Sequence, residues 1–305
     1  MKSLDAQNGS KRKGVCILCM LDYISCMYIM YLAACGNVIT ISHTMVQQNP
    51  QSLVWYVMTS KVVNLRQGVA GRLLEHYHNL RLVTVDLRKV FHNTPLMDLY
   101  TSTSWTHNTS ELLPHYEVRI HFFIRKFQYI FISAVLSSGV FVYDNDVVCI
   151  APLTHQKNVV GLYDDTNVNN AVFHFDRHHP ICTILPSFPL QPNVWGFNGP
   201  MMMTKVLKTA CGKELAAGDV CQGVTLLHKR NFYPLPVAEW KIFFTALKGV
   251  DMFPNSYVIH KWNKMSHSQP VFKDSGMLYD ETAKVFCPIT REIATHVISS
   301  IKKNY

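Results

Sequence analysis

Asp144 and Asp146 stand one residue apart near the end of the apolar run "GVFVY" within the longer stretch "SSGVFVYDNDVVCIAPL". A short apolar run rich in β-formers reads as a buried strand. Side chains alternate along a strand, so both carboxylates leave the backbone on one side and Asn145 leaves on the other. Two carboxylates placed in this way can bind one hard divalent cation and leave coordination positions for phosphate oxygens. The same pair can equally be a solvated turn. The elements that would have to surround a site decide between the two.

Several runs read as those elements. "SLVWYVMTS" and "NLRLVTVDL" are apolar and β-rich and read as strands, as do "GVFVYDND" and "NNAVFHF". "HNTPLMDLY" reads as a loop entering a short helix, with Asn93 or Thr94 as N-cap and Pro95 in the first turn. "GPMMMTKVLKTAC" and "PVAEWKIFFTAL" read as helices, and "SGMLYDETAKVF" as a third with Ser275 as its cap. Strands alternating with helices predict an α/β fold with a mostly parallel sheet flanked by helices. In open sheets of this kind ligands bind beyond the carboxyl ends of the strands, the rim at which Asp144 and Asp146 stand.

Composition narrows the classes. Apolar residues make up 48% of the chain and charged residues 16%, so a large core can form and disorder is excluded. The formal net charge of +9 suits anionic partners such as nucleotide phosphates or anionic lipid headgroups. No basic stripe interleaved with aromatics is present, so nucleic acid is not an expected partner. Cys16 and Cys19 form a CxxC with no second pair at ribbon spacing, which reads as a buried pair rather than a zinc site.

Lys11, Arg12 and Lys13 precede an uncharged run over residues 23–41. That run is long enough to span a bilayer as a helix, with the basic triplet left on the cytoplasmic side. It is also long enough to be a buried helix of a soluble domain. The expected organisation is an N-terminal segment over residues 1–45, an anchor or stem, and a catalytic domain over residues 46–300.

Four spaced segments carry a resemblance: "NNAVFHFDRHHP", "NVWGFNGPMMMTKVLKTAC", "LLHKRNFYPLPVAEWKIFF" and "SYVIHKWNKMSHSQPVFKDSGMLYDETAKVFCP". Together with "HNTPLMDLY" and "GVFVYDNDVVCIAPL" they resemble the lactosylceramide 4-alpha-galactosyltransferase family and its arthropod relatives, the alpha-1,4-N-acetylgalactosaminyltransferase-like proteins. The likeness runs over residues 48–287, with an interruption between about 105 and 133.

The resemblance implies a GT-A-type, Rossmann-like nucleotide-sugar-binding fold with a D-x-D motif. It implies Mn2+ as cofactor and UDP-galactose or UDP-N-acetylgalactosamine as donor. It further implies a retaining transfer in alpha-1,4 linkage to a glycosphingolipid or glycan acceptor, such as lactosylceramide or an arthropod glycolipid. The location it implies is the Golgi membrane, as a single-pass type II protein with a lumenal catalytic domain. By the same resemblance Asp144, Asp146 and His260 are the expected metal ligands, with Asp144 also facing the ribose.

Asn169 and Asn170 match the family's donor-sugar strand, and Asn170 joins the two aspartates as a catalytic candidate. Tyr143, Trp195, Asn198, Gly199, Trp262 and Lys264 are the further expected donor or acceptor contacts. In "WGFNGP" the glycines permit close backbone approach to a ligand, and a helix N-terminus follows that favours anions; a plain turn that starts a helix has the same residues. The chain departs from the family before the D-x-D motif. There the family carries a serine–aspartate and an arginine on a helix, and "FQYIF" has neither. That departure motivates the alternative of a catalytically degenerate homologue that binds nucleotide or glycan without turnover.

Overall fold

The computed structural model describes residues 14–18, 44–58, 68–84, 88, 89, 92, 97, 139, 141–144, 146–184, 196–247, 253–266 and 269–292. The strands within them are β1 (Gly14–Leu18), β2 (Leu53–Met58), β3 (Leu80–Thr84), β4 (Phe141–Tyr143), β5 (Val147–Cys149), β6 (Val159–Leu162), β7 (Val168–His174), β8 (Val220–Cys221), β9 (Val224–Leu227) and β10 (Val258–His260). Eight of them form one sheet in the order β3-β2-β1-β4-β7-β6-β9-β8, and β5 and β10 form a separate pair. The fold is α/β, with helices beside a mixed sheet.

The sheet is mixed and mostly parallel, as expected from the sequence. β1, β2, β3 and β4 run parallel, and so do β6 and β9, but β7 lies antiparallel between β4 and β6. Two tight hairpins cause this. β6 returns as β7 through residues 163–167, where Asp164 Oδ1 accepts the N–H groups of Thr166 and Asn167 at 2.9 and 2.7 Å. Such an Asx arrangement imitates a backbone turn. β8 returns as β9 through Gln222 and Gly223, both at positive φ, as a two-residue hairpin loop of the primed type requires. These directions bring the carboxyl ends of β4, β6 and β9 to one rim.

β1 lies inside this sheet, between β2 and β4, so the sheet reaches back beyond the boundary expected near residue 45. Residues 19–43 lie outside the described residues, as do most of "HNTPLMDLY" and all of residues 116–133. No helix among the described residues is long and apolar enough to cross a membrane.

Beneath the rim, Tyr143, Phe232, Tyr233, Phe243, Val147, Val258 and Ile259 join one apolar core. Full burial of each such side chain contributes about 1.5–3 kcal/mol. The segment "VAEWKIFF" is a 3-10 helix over Val237–Phe244 rather than the expected α-helix. It packs against the helix Leu278–Phe286. That helix starts after Met277; Ser275 Oγ accepts from Met277 N–H at 3.3 Å and so closes the preceding turn instead of capping the helix. Behind it, buried Asp280 takes Arg291 Nε at 2.7 Å and Nη2 at 3.0 Å. The helix Met202–Cys211 forms as expected and is tied at its end to β8 by the disulfide Cys211–Cys221.

Candidate active site

The turn from β4 to β5 carries both aspartates. Asp144 N–H donates to Ala171 O at 2.7 Å, which extends the β4–β7 ladder one residue past Tyr143. Asp146 closes the turn, and its register is set from far along the chain. β10 pairs with β5 so that His260 lies opposite Val147, Ile259 opposite Val148 and Val258 opposite Cys149. Lys261 N–H then donates to Asp146 O at 2.7 Å, and Asn263 N–H to Asp146 Oδ2 at 2.7 Å. This pairing delivers the histidine to the aspartates.

One ligand atom each from Asp144, Asp146 and His260 lies within 4.8 Å of the other two. Ligand–cation distances of about 2.0–2.6 Å put two ligands of one ion at most about 5 Å apart. His260 Nε2 is 3.1 Å from Asp146 Oδ1, yet the approach lacks hydrogen-bond geometry, and Oδ1 is a buried acceptor without a hydrogen-bond partner. A buried, unsatisfied carboxylate oxygen costs free energy unless something positive meets it. Two carboxylates and an imidazole are a donor set suited to a hard or borderline divalent ion such as Mn2+. On these grounds the residues fit a divalent metal.

Burial alone would raise the Asp146 pKa, but the adjoining His260 ring, the Asn263 N–H and the Lys261 charge outweigh it. They hold the carboxyl below its ordinary value. His260 is oriented in turn. Its Nδ1 accepts Trp262 N–H at 3.2 Å, and its ring lies 4.2 Å from that of Trp262, centroid to centroid. Trp262 is itself fixed at φ 53° and by Nε1–H donating to Leu235 O at 2.8 Å. It therefore braces the histidine. Lys261 reaches away from the aspartates, with its Nζ 3.2 Å from Tyr279 Oη. Lys264 lies on the helical turn Asn263–Ser266 that opens with the N–H bound to Asp146.

A second corner of the rim is built on β7. β6 and β7 pair Val160 with Phe173 and then Gly161 with Asn169, so Asn170, Ala171 and Val172 have no counterpart on β6. The bulge brings Asn169 and Asn170 beside Asp144, whose N–H binds the bulged Ala171. Asn169 Oδ1 accepts Ala171 N–H at 3.1 Å, so the side chain closes a local turn inside the bulge. Both asparagines are half-buried.

The loop "GFNGP" packs against β7. It forms the π-helical turn Phe197–Met201, entered through Gly196 at φ 75° and broken at Gly199 (φ −124°, ψ −108°). Gly199 N–H donates to Gly196 O at 3.2 Å, so that amide serves the turn. Asn198 lies in the same turn, and Trp195 lies outside the described residues. Thr204 in the following helix both accepts Val168 N–H and donates to Val168 O, at 3.1 and 3.2 Å, fastening that helix to the start of β7.

Tyr143 is fully buried, stacks on Phe141 at 5.7 Å, and carries a buried hydroxyl without a hydrogen-bond partner among the described residues. Two residues that the sequence reading passes over do belong here. Tyr233 is buried between β7 and His260, and Gly161 makes room for it. A glycine between β-formers in "VVGL" is the signal that marks such a close approach.

Residues 174–294 match the alpha 1,4-glycosyltransferase conserved region. The chain is 29% identical to lactosylceramide 4-alpha-galactosyltransferase of Gorilla gorilla gorilla over 72% of this chain and 66% of that protein. The human protein of that name is 28% identical, over 72% of this chain and 61% of the relative. The human alpha-1,4-N-acetylglucosaminyltransferase is 25% identical over 72% and 64%. The chain thus spans just under two-thirds of these relatives. Similar solved structures include galactosyltransferase LgtC with donor and acceptor sugar analogues, 13% identical at TM-score 0.40, covering 93% of this chain and 95% of that one. Mouse xyloside xylosyltransferase 1 in its apo form is 10% identical at TM-score 0.42, covering 81% and 96%.

Proposed function

We propose, for a chain that carries the alpha 1,4-glycosyltransferase conserved region, that it is a GT-A-type retaining glycosyltransferase. It moves galactose or N-acetylgalactosamine from a UDP-sugar, in alpha-1,4 linkage, onto a glycosphingolipid or glycan acceptor. The observation that carries this reading is the cluster of Asp144, Asp146 and His260, with the unsatisfied Asp146 Oδ1 inside it. These residues would hold Mn2+, which when bound offsets the charge that grows on the β-phosphate as the glycosidic bond breaks.

The chain's own residues do the rest. Asp146 stays ionised because of the groups around it, and Trp262 holds His260 in orientation. Asn169 and Asn170 hydrogen-bond sugar hydroxyls from the bulge. Among the described residues, Asp164 is bound in its own turn and Asp165 pairs with Lys229 at 2.7 Å. With the family resemblance, this supports retention by front-face attack. The acceptor oxygen bonds to the anomeric carbon as the carbon–oxygen bond to UDP breaks, and the acceptor's proton passes to a β-phosphate oxygen.

Transfer of labelled sugar to lactosylceramide and to an arthropod glycolipid tests the reading. UDP-galactose, UDP-N-acetylgalactosamine and UDP-N-acetylglucosamine are supplied in turn, with Mn2+ and with Asp146→Ala as control. Transfer by the wild type alone is expected. Manganese-dependent binding of UDP without transfer from any donor would replace this reading with the non-catalytic homologue. Golgi-lumenal residence is part of the proposal. The disulfide Cys211–Cys221 supports it, since such bonds persist in oxidising compartments. Membrane attachment through residues 23–41 is part of the same proposal. Carbonate extraction tests it: retention in the pellet supports the anchor and release into the supernatant overturns it.

A further inference from the structure

Tyr233 has no part in the reaction as derived so far, yet it touches both corners of the rim. Its side chain is 1% exposed. Its hydroxyl donates to Asn169 O at 3.3 Å, at the point where the β6–β7 ladder breaks. The phenol thus bonds the strand at Asn169, the residue from which the unpaired Asn170, Ala171 and Val172 follow. Burial raises the phenol's pKa well above its ordinary value. The backbone of Val172 and Ala171 acts against that rise, and the charges of Asp144 and Asp146 add to it. The hydroxyl is thus a protonated donor, lodged in the bulge and within the field of both carboxylates.

The ring faces the other corner, 5.6 Å from His260 and 6.0 Å from Trp262 between centroids. Glycine at position 161 permits this placement. A Cβ there would lie 2.9 Å from Tyr233 Cε2 and 2.6 Å from Phe232 Cδ2.

We propose that Tyr233 is a positioning residue for the donor sugar: its hydroxyl holds the Asn169 carbonyl, and with it the bulge that aims Asn169 and Asn170, while its ring packs the His260 arm. The inference rests on the donor-binding reading above. It assigns the aim of the sugar-binding strand to a residue that touches neither cation nor sugar.

Tyr233→Phe keeps the ring and removes the bond. Calorimetric titration with Mn2+ and either UDP or a UDP-sugar reads the effect. The sugar nucleotide used is whichever of the three donors the wild type binds more tightly than UDP. The variant is expected to bind UDP within about twofold of the wild type and the UDP-sugar about three- to tenfold more weakly, the range of one hydrogen bond. In a background carrying both Asn169→Ala and Asn170→Ala, Tyr233→Phe is expected to add no further loss of sugar preference, because the bond to the Asn169 carbonyl acts only through the aim of those two side chains.

Equal weakening of UDP and UDP-sugar overturns the proposal, and so does an unchanged preference. A further loss on adding Tyr233→Phe to the Asn169→Ala, Asn170→Ala background overturns it too. A Tyr233→Phe protein that does not fold also does so, since the residue's role would then be to hold the core. A wild type that binds no UDP-sugar with Mn2+ sinks the donor reading itself, an outcome separate from any result with the variants.

Discussion

At the β4–β5 turn, Asp146 is 9% exposed and is gripped through its own carbonyl and one carboxylate oxygen by backbone N–H groups of Lys261 and Asn263. Its partner His260 is held by Trp262, which is pinned in turn to Leu235. At the β7 bulge, Asn169 and Asn170 are half-buried. The chain there is held by one phenol bond, one side-chain turn and the Asp144 amide. The cation corner is over-determined, because charge placement tolerates little error. Among the described residues the bulge has fewer side-chain restraints than the turn. On the proposed function, chemistry common to all UDP-sugars falls to the cation corner and choice among them to the sugar corner.

The strongest test of that division is Asp146→Ala. Loss of its charge is expected to abolish manganese-dependent UDP binding and to lower transfer by about 10³-fold, the scale of losing a preorganised electrostatic contact. Full activity in this variant, measured with labelled donor, would mean the cation corner is misplaced. His260→Ala is expected to weaken Mn2+ by about 10–100-fold, judged from the cost of removing groups that orient or complete a metal site. Its preference for UDP-sugar over UDP should survive, because Asn169 and Asn170 are untouched. If that preference vanished with the metal affinity, the two corners would be one.

Gly161→Ala probes the comparison from the other side. The added carbon meets Phe232 and Tyr233, and overpacking of a tight core costs about 1–3 kcal/mol. A lower melting temperature is expected by calorimetry, with sugar preference reduced and Mn2+ affinity nearly unchanged. Loss of Mn2+ affinity instead would show that the bulge also carries the cation corner.

The sequence makes the two corners legible to different depths. Asp144 and Asp146 stand out because alternation along a strand is local and needs no partner. The arrival of His260 depends on a three-residue ladder with β5. Strands so short carry no periodic signal, and the histidine was reached through the resemblance alone. A mixed, mostly parallel sheet is legible as a class, but which strands reverse is not: the reversals lie in two hairpins, one built on Gln222-Gly223 and one on an Asp164 turn, neither with the usual Asn-Gly signature. Tyr233 reads as one more aromatic in "NFYPLP"; its role follows from a bulge on a strand far from it in sequence.

The smallest expected effect is in pH, and its sign follows from Asp146. Burial opposes ionisation, but His260, Asn263 and Lys261 prevail, so the folded pKa lies below its unfolded value of about 3.9. A carboxyl depressed on folding contributes stability that is fully present above the unfolded value and is lost as pH falls through the folded one. Between pH 7 and 5 the Asp146 charge is therefore constant, and stability owes no slope to it there. Below about pH 3.9 the wild type should lose stability that Asp146→Asn, which cannot ionise, does not lose from this site. Urea unfolding at stepped pH reads the difference as two curves that converge on acidification. No such term is expected at the sugar corner, where Asn169 and Asn170 do not titrate, so Asn169→Ala should run parallel to the wild type at every pH. Curves for Asp146→Asn and wild type that stay parallel into acid would show the carboxyl is not depressed, and the account of the cation corner as the electrostatically fixed one would fail.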